Sequence, residues 1–440
     1  MRGLRSFILL LAVALALGAY LYFVESRRTP GDNAEKRDKV FAVAADAIEE
    51  VTVKSEAGDR TTLKKTGTDW QIVAPAQAPA DAAEISGITT NLSTLEVQRL
   101  VEENPADLAL FGLAEPRIEV AFTSGGQEQR LLVGNKTPTG SDIYAKTSAQ
   151  SRVFLIASFL DSTFNRSSFD LRDKSALSFD RDKADVLETT AAGRTVRFAK
   201  TAEGWQITQP GLKRPDTAAI EGLLARVDGL EMKKLESAEP TDLQRYGLAA
   251  PSANVRIGSG SAQSTLLLGS AAGEGEVYAR DASRPEVFTV DASFVDDLKK
   301  GAGDYLQKDL FDARAFNTTR IEITRGTETR VWEKSKGADK EGKEPEKWRQ
   351  TAPAAQDVEE AAVEAVMSAL TGARGESVVP DMPSGAKPEV NVALTFDGGK
   401  QERVSFYRAG GDTFASRDGV VMKIPATLLE SIVKAVEALR

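Results

Sequence analysis

The chain contains no cysteine and no histidine. Disulfides, thiolate nucleophiles, Cys/His zinc sites and imidazole acid–base chemistry are therefore impossible within it. The absence of cysteine also excludes a lipidated N-terminal cysteine and palmitoylation. Aromatic residues make up only 7% of the sequence, with four tryptophans in 440 residues, so each tryptophan is informative about packing. Long basic blocks are missing as well. The net charge is −9. The first 28 residues hold four arginines and one glutamate, which leaves 52 basic and 64 acidic residues, net −12, on the rest of the chain. Such a body is repelled by nucleic acid and by anionic lipid, so no nucleic-acid partner is expected.

What is present is the composition of a folded protein, 41% hydrophobic and 28% charged, with length for about three ordinary domains. One uncharged apolar run, Phe7 to Val24, stands near the N-terminus. As a helix its 18 residues would reach about 27 Å, close to the thickness of a bilayer core. Tyr20 and Tyr22 sit near one end, where aromatic rings favour the interface. Ala16-Leu17-Gly18 would also suit signal cleavage, but the run continues through Val24, which fits a retained anchor better. Two arginines on each side leave orientation undecided by charge. A short N-terminus in the cytoplasm and a large extracytoplasmic body is the simplest arrangement. Residues 1–28 are thus read as a single-pass anchor in the inner membrane and 29–45 as a stalk.

Past residue 45 the dominant signal is repetition. Trp70-Gln71-Ile72 recurs 135 positions later as Trp205-Gln206-Ile207. At the same offset Lys65, Pro75, Asp81, Pro116 and Gly134 recur as Lys200, Pro210, Asp216, Pro251 and Gly269. Tyr144-Ala145-Lys146 then matches Tyr278-Ala279-Arg280 after one deletion. Trp348, Pro353 and Phe414-Ala415-Ser416 mark a weaker third copy. The repeats are placed at 46–176, 177–312 and, divergent, 313–440.

Inside each repeat the apolar period changes in a fixed order. Strand-like runs such as Glu50 to Lys54 and Thr61 to Lys65 precede the tryptophan strand. A helix follows, with Ile85, Ile88, Leu92 and Leu95 on one face, repeated as Ile220, Leu223, Val227 and Leu230, and as Val363, Val366, Met367 and Leu370. Asp81 with Glu84 predicts a capping box at its start. Short strands then run over Ile118–Phe122, Arg130–Val133, Ile143–Lys146 and Val153–Ile156. The predicted fold class is α+β: an N-terminal transmembrane helix, then three tandem repeats, each an antiparallel sheet with helices packed on one face.

Few motifs point to chemistry. Pro105 to Leu113 with Pro116 recurs as Pro240 to Leu248 with Pro251, and reads as a short helical turn ended by glycine, with Leu113 folding back on Leu108. The third copy, Pro380 to Pro388, lacks the pattern. The repeated tryptophans read as core positions rather than stacking platforms. Ser431-Ile432-Val433-Lys434 and Lys65-Thr66-Gly67 match penicillin-binding motifs in reversed order, on a final helix and in a hairpin turn, and read as coincidence. Gly258-Ser259-Gly260 and Gly273-Glu274-Gly275 are hairpin glycines, not phosphate loops. Residues 335–347, charged and unique to copy three, read as a solvated excursion. No catalytic, cofactor-binding or metal-binding residue can be nominated, and no cofactor is implied.

The anchor followed by tandem D-L-x-x-[FY]-G-L-x-x-P elements, Asp107 to Pro116 and Asp242 to Pro251, with the Trp70 and Trp205 strands, resembles the bacterial "domain of unknown function 4340" family. The resemblance implies a membrane-associated extracytoplasmic protein, often encoded beside an ABC-type transporter of the gliding-motility auxiliary kind. It supplies no catalytic residue. The function expected is therefore a membrane-anchored, non-enzymatic accessory or scaffold protein of an envelope complex. Its partners would be the bilayer, through the N-terminal helix, and ABC-type transporter subunits. The alternative is an extracytoplasmic glycan or lipid binder, and behind it a carboxylate-based hydrolase.

Overall fold

The computed structural model describes residues 38–212, 214–335 and 347–438. The apolar run at 7–24 and most of the 335–347 excursion lie outside the described residues. Among the described residues no helix is long and apolar enough to cross a membrane.

Three antiparallel sheets follow one another. The first is built from β1 (Ile48–Lys54), β2 (Arg60–Thr66), β3 (Asp69–Ala74), β4 (Ala78–Pro79), β5 (Arg99–Glu102), β6 (Ile118–Ser124), β7 (Gln127–Lys136), β8 (Asp142–Thr147) and β9 (Val153–Ala157). Its spatial order is β4-β3-β2-β1-β6-β7-β8-β9-β5. A meander therefore runs outward, helix α1 (Ala82–Thr94) crosses to the far edge and lays down β5, and a second meander from β6 to β9 closes the gap. The second sheet holds β10 (Val186–Ala191), β11 (Arg194–Thr201), β12 (Gly204–Gln209), β13 (Lys234–Ser237), β14 (Ala253–Ser259), β15 (Ala262–Gly273), β16 (Glu276–Asp281) and β17 (Val287–Asp291), in the same order without a partner for β4. The third runs through β18 (Thr318–Arg325), β19 (Glu328–Ser335), β20 (Lys347–Ala352), β21 (Gln356–Asp357), β22 (Ser377–Val379), β23 (Lys387–Phe396), β24 (Lys400–Ala409), β25 (Asp412–Arg417) and β26 (Val420–Ile424), again in that order. Two compact parts divide between Lys174 and Ser175; the first holds one sheet and the second holds two.

The α+β expectation is corrected to a mostly β fold. Each repeat has one crossing helix of three turns, α1, then α2 (Thr217–Asp228) and α3 (Glu360–Thr371). Only four side chains of each are buried, such as Ile85, Ile88, Thr89 and Leu92 of α1. The strands supply most of the core. Val51, Val53, Leu63, Ile118, Val120, Phe122, Leu131, Val133, Ile143, Phe154 and Ile156 all enter the first cluster. The strands are also longer than their apolar residues suggest: β7 and β24 span ten residues, and β15 twelve. Their exposed polar or small alternate positions look like loop in sequence, but period-two alternation is the mark of a half-buried strand.

Each repeat starts with the same contact. The Val40 N–H donates to the Leu95 carbonyl at 2.8 Å, Ala176 to Leu230 at 2.8 Å, and Leu310 to Ala373 at 2.9 Å. A leading segment thus pairs with the stretch behind the crossing helix and drops an apolar residue into the core: Phe41, Leu177 or Phe311. Phe41 meets Phe122 edge-on with ring centres 5.0 Å apart. The fold therefore takes in the last residues of the 29–45 stretch.

The first two crossing helices are capped by aspartate, and the third, starting after Glu359, has no side-chain cap. Asp81 accepts from the Ala83 and Glu84 N–H groups at 2.8 and 3.1 Å, and Asp216 from Ala219 at 3.0 Å. The reciprocal half of the capping box is not made, because Glu84 turns to Arg166 at 2.9 Å.

Candidate functional site

The D-L-x-x-[FY]-G-L element is a 3-10 turn with a Schellman ending in both copies. Asp107 and Asp242 accept the Ala109 and Gln244 N–H groups at 2.8 Å and open it. Leu113 N–H donates to Leu108 at 2.9 Å and Gly112 to Ala109 at 3.0 Å; Leu248 donates to Leu243 at 3.0 Å and Gly247 to Gln244 at 2.9 Å. Gly112 and Gly247 have φ of 68° and 69°, the left-handed region that a Cβ penalises. Pro105 and Pro240 precede the capping aspartates instead of occupying the first turn. The repeated Gly134 and Gly269 belong to the same device. Each lies where β7 or β15 passes under the turn, and a Cβ there would collide with the Phe111 or Tyr246 carbonyl. The element fixes a turn to a strand and leaves no group for chemistry.

The tryptophans divide by copy. Trp205 and Trp348 are buried and Trp70 is half-buried against its core. Trp205 Nε1 donates to Glu221 at 2.6 Å. Trp332 is also fully buried, on β19, where alternation through Val331 to Glu333 is its only signal in sequence. Ser431 donates to the Thr427 carbonyl of its own helix at 2.6 Å, and Lys65 to the Asp46 carbonyl at 3.1 Å. Both have local structural partners.

Charged clusters occur in each compact part. In the first, Arg117 spans Glu56 at 2.8 Å, Asp161 at 2.7 Å and the Gly134 carbonyl at 2.9 Å, while Lys136 reaches Asp161 at 2.9 Å. Burial acts to raise the Asp161 carboxyl, but the hydrogen bonds and charges of Lys136 and Arg117 outweigh it and hold Asp161 below the ordinary carboxylate value. Its stabilising contribution is present above the unfolded carboxylate pKa of about 3.9 and is lost as pH falls through the lower folded value. Asp161→Asn should therefore lower the melting temperature of the first part at pH 7. The gap to the parent should narrow progressively as pH falls below about 4. A gap that stays constant with pH would show a packing effect instead.

The second part carries a buried cluster at the joint between its two repeats. Arg417, 9% exposed, reaches Glu402 at 2.9 Å, Asp312 at 2.6 Å and the Leu310 carbonyl at 2.8 Å. Glu402, with a side chain only 2% exposed, also accepts the Asp312 and Ala313 N–H groups at 2.9 Å. Arg214 closes on Asp312 at 2.7 Å from the second repeat. Burial pushes the Asp312 carboxyl up, yet the bond from Arg214 and the charges of both arginines hold it down. Asp312 is thus held ionised by arginine, the reverse of what a general acid needs. Among the described residues no three acidic groups gather in a metal-binding arrangement.

A cleft of about 640 Å³ lies between the second and third repeats. Its walls come from β11, the cis peptide Gln209-Pro210, the 3-10 turn Ala302–Tyr305 and the start of β22. Arg194 crosses one wall and donates to the Lys299 carbonyl at 2.8 Å; Asp304 accepts the Gly301 N–H at 2.8 Å and shapes the turn. The volume is that of a ligand or peptide pocket. None of these residues was legible as a site in sequence, because they converge from four separate stretches of chain.

The model of the domain of unknown function (DUF4340) family matches residues 70–218 and again 205–393. The chain belongs to this family. The two matches begin at Trp70 and Trp205, so the DUF4340 unit is present in tandem. No curated protein matches this DUF4340 chain. Among solved structures, the DnaN sliding clamp (DNA polymerase III subunit beta) of Pseudomonas aeruginosa, bound to griselimycin, is 8% identical. That alignment covers 88% of this chain and 94% of the clamp with a TM-score of 0.15, and it carries no argument.

Proposed function

We propose that this DUF4340 chain is a non-enzymatic assembly subunit, held at a bacterial inner membrane by its apolar segment 7–24, whose extracytoplasmic body docks subunits of an ABC-type transporter. The observation that carries the reading is the ion-locked joint. Arg214 of the second repeat closes on Asp312 at the head of the third, where Arg417 and Glu402 hold the segment in place, so the two sheets form one platform with a cleft between the repeats. Repeated residues are spent on turns, caps and core, which specify a surface rather than a reaction. Tethering at the membrane raises the effective concentration for assembly. The transporter link follows from the family resemblance, and the acidic body directs contact toward protein rather than anionic lipid.

Crosslinking the full chain in native membranes should capture transporter subunits. Ser377→Arg, which places a long cation in the cleft, should reduce that capture at least about tenfold without lowering the melting temperature, as expected of a rim charge that opposes docking. Capture of no membrane subunit, together with saturable binding of a cell-wall glycan or lipid that Ser377→Arg abolishes, would move the assignment to an envelope-ligand binder.

A further inference from the structure

The edge strand behind the crossing helix is the same element in all three sheets. β5, β13 and β22 each end their sheet, and Leu100, Leu235 and Val378 occupy one position, opposite Phe154, Phe288 and Met422. Their exposure differs. Leu235 and Val378 are half-buried, whereas Leu100 is 43% exposed. In the third repeat the cover is visible: the turn Ala302–Tyr305 sits on β22, and Gly303 lies so close that a Cβ would stand 3.0 Å from the Val378 Cβ. Among the described strands β5 pairs only with β9.

The sequence of the exposed edge is charge-complementary to itself. Arg99-Leu100-Val101-Glu102, followed by Glu103, has a basic start, an apolar centre and an acidic end, with Arg99, Glu102 and Glu103 exposed. Two such strands laid antiparallel about a two-fold axis at Leu100 set leucine against leucine. Each Arg99 then falls toward the Glu102–Glu103 end of the other strand. β13, Lys-Leu-Glu-Ser, has the same basic-apolar-acidic order but its Leu235 is half-buried, and β22, Ser-Val-Val, carries no charge. We infer that β5 is a homodimer edge, through which two copies of this chain join their first sheets across a two-fold axis. An open apolar edge invites pairing, and here the charges select an identical strand. The inference does not depend on what the platform docks.

Because the chain has no cysteine, Leu100→Cys introduces a single thiol. In native membranes, mild oxidation should convert the Leu100→Cys chain to a covalent homodimer, while Asp357→Cys, at an exposed position of the third repeat, should stay monomeric. Sedimentation of the full chain in mild detergent gives the second readout. Arg99→Glu alone, or Glu102→Arg with Glu103→Arg alone, should weaken self-association at least about tenfold, because like charges then face each other. Mixing the two variants one to one should restore association, since every contact in the mixed pair is matched again; that recovery also shows that both fold. A Leu100→Cys chain that stays monomeric, or that crosslinks to a different protein, would overturn the homodimer, as would association unchanged by the reversals.

Discussion

Gly269→Ala should destabilise the second repeat by about 3 kcal/mol or more, at the upper end of overpacking costs. The new Cβ would meet the Tyr246 carbonyl and crowd Leu248. A carbonyl within a Schellman turn cannot swing aside without giving up the bonds that hold Gly247 and Leu248. Gly247→Ala attacks the other side of the same contact. It forces a Cβ at φ 69° and to within 2.7 Å of the Ser270 nitrogen, so a cost of about 2 kcal/mol is expected. The two losses should be less than additive, because either one already displaces the turn from the strand. The third repeat supplies an internal control. Phe406, opposite Ala415, stands where Leu268 stands opposite Ala279, so Tyr407 occupies the place of Gly269. That repeat has no 3-10 turn between β22 and β23 among the described residues. Where no turn lands, no glycine is needed. Denaturant unfolding of the full chain would resolve the prediction. An unaltered midpoint for Gly269→Ala would mean that the turn is not held against β15.

Much of this could be read directly. The helix stripes, the strand positions, the paired Gly-Leu endings and the burial of Trp205 follow from periodicity and from the chemistry of glycine and proline, which act locally. The balance of helix and sheet was misread for a physical reason. A helix with an apolar stripe announces itself over 12 residues, while β7 or β15 carries as much structure with half its side chains polar. The capping box failed in part because Arg166, distant in sequence, competed for Glu84. The charged clusters were not legible at all. Asp312, Glu402 and Arg417 are three ordinary surface-type residues until folding brings β24 and β25 against the leading segment of the third repeat. Periodicity reports faces of elements, and nothing in it reports which charges meet across a joint.

That joint gives the second large expectation. Arg417→Met should cost about 3–5 kcal/mol, the range for removing one partner of a buried ion pair. Glu402 would remain beneath β25, its side chain 2% exposed, still held by the Asp312 and Ala313 N–H groups but without the guanidinium 2.9 Å away. The Leu310 carbonyl would also lose its donor. Glu402→Gln keeps the shape and an acceptor for one N–H, but leaves Arg417 with Asp312 and the more exposed Asp418 alone, so it should also destabilise, by about 2–3 kcal/mol for a lost charged hydrogen bond. The informative quantity is the double variant. If the two groups act as a pair, Arg417→Met with Glu402→Gln should be less damaging than the sum of the singles by at least about 1 kcal/mol, since neither charge is left uncompensated. Arg214→Met should cost less than Arg417→Met, because its partner Asp312 keeps Arg417 and is 45% exposed. A stiff platform also predicts the form of the unfolding curve. In the parent the second and third repeats should melt together, and Arg214→Met, which removes the ion pair between them, should split them into two transitions by calorimetry. A parent that already unfolds in separate steps at this joint would remove the physical basis for reading the two sheets as one docking platform.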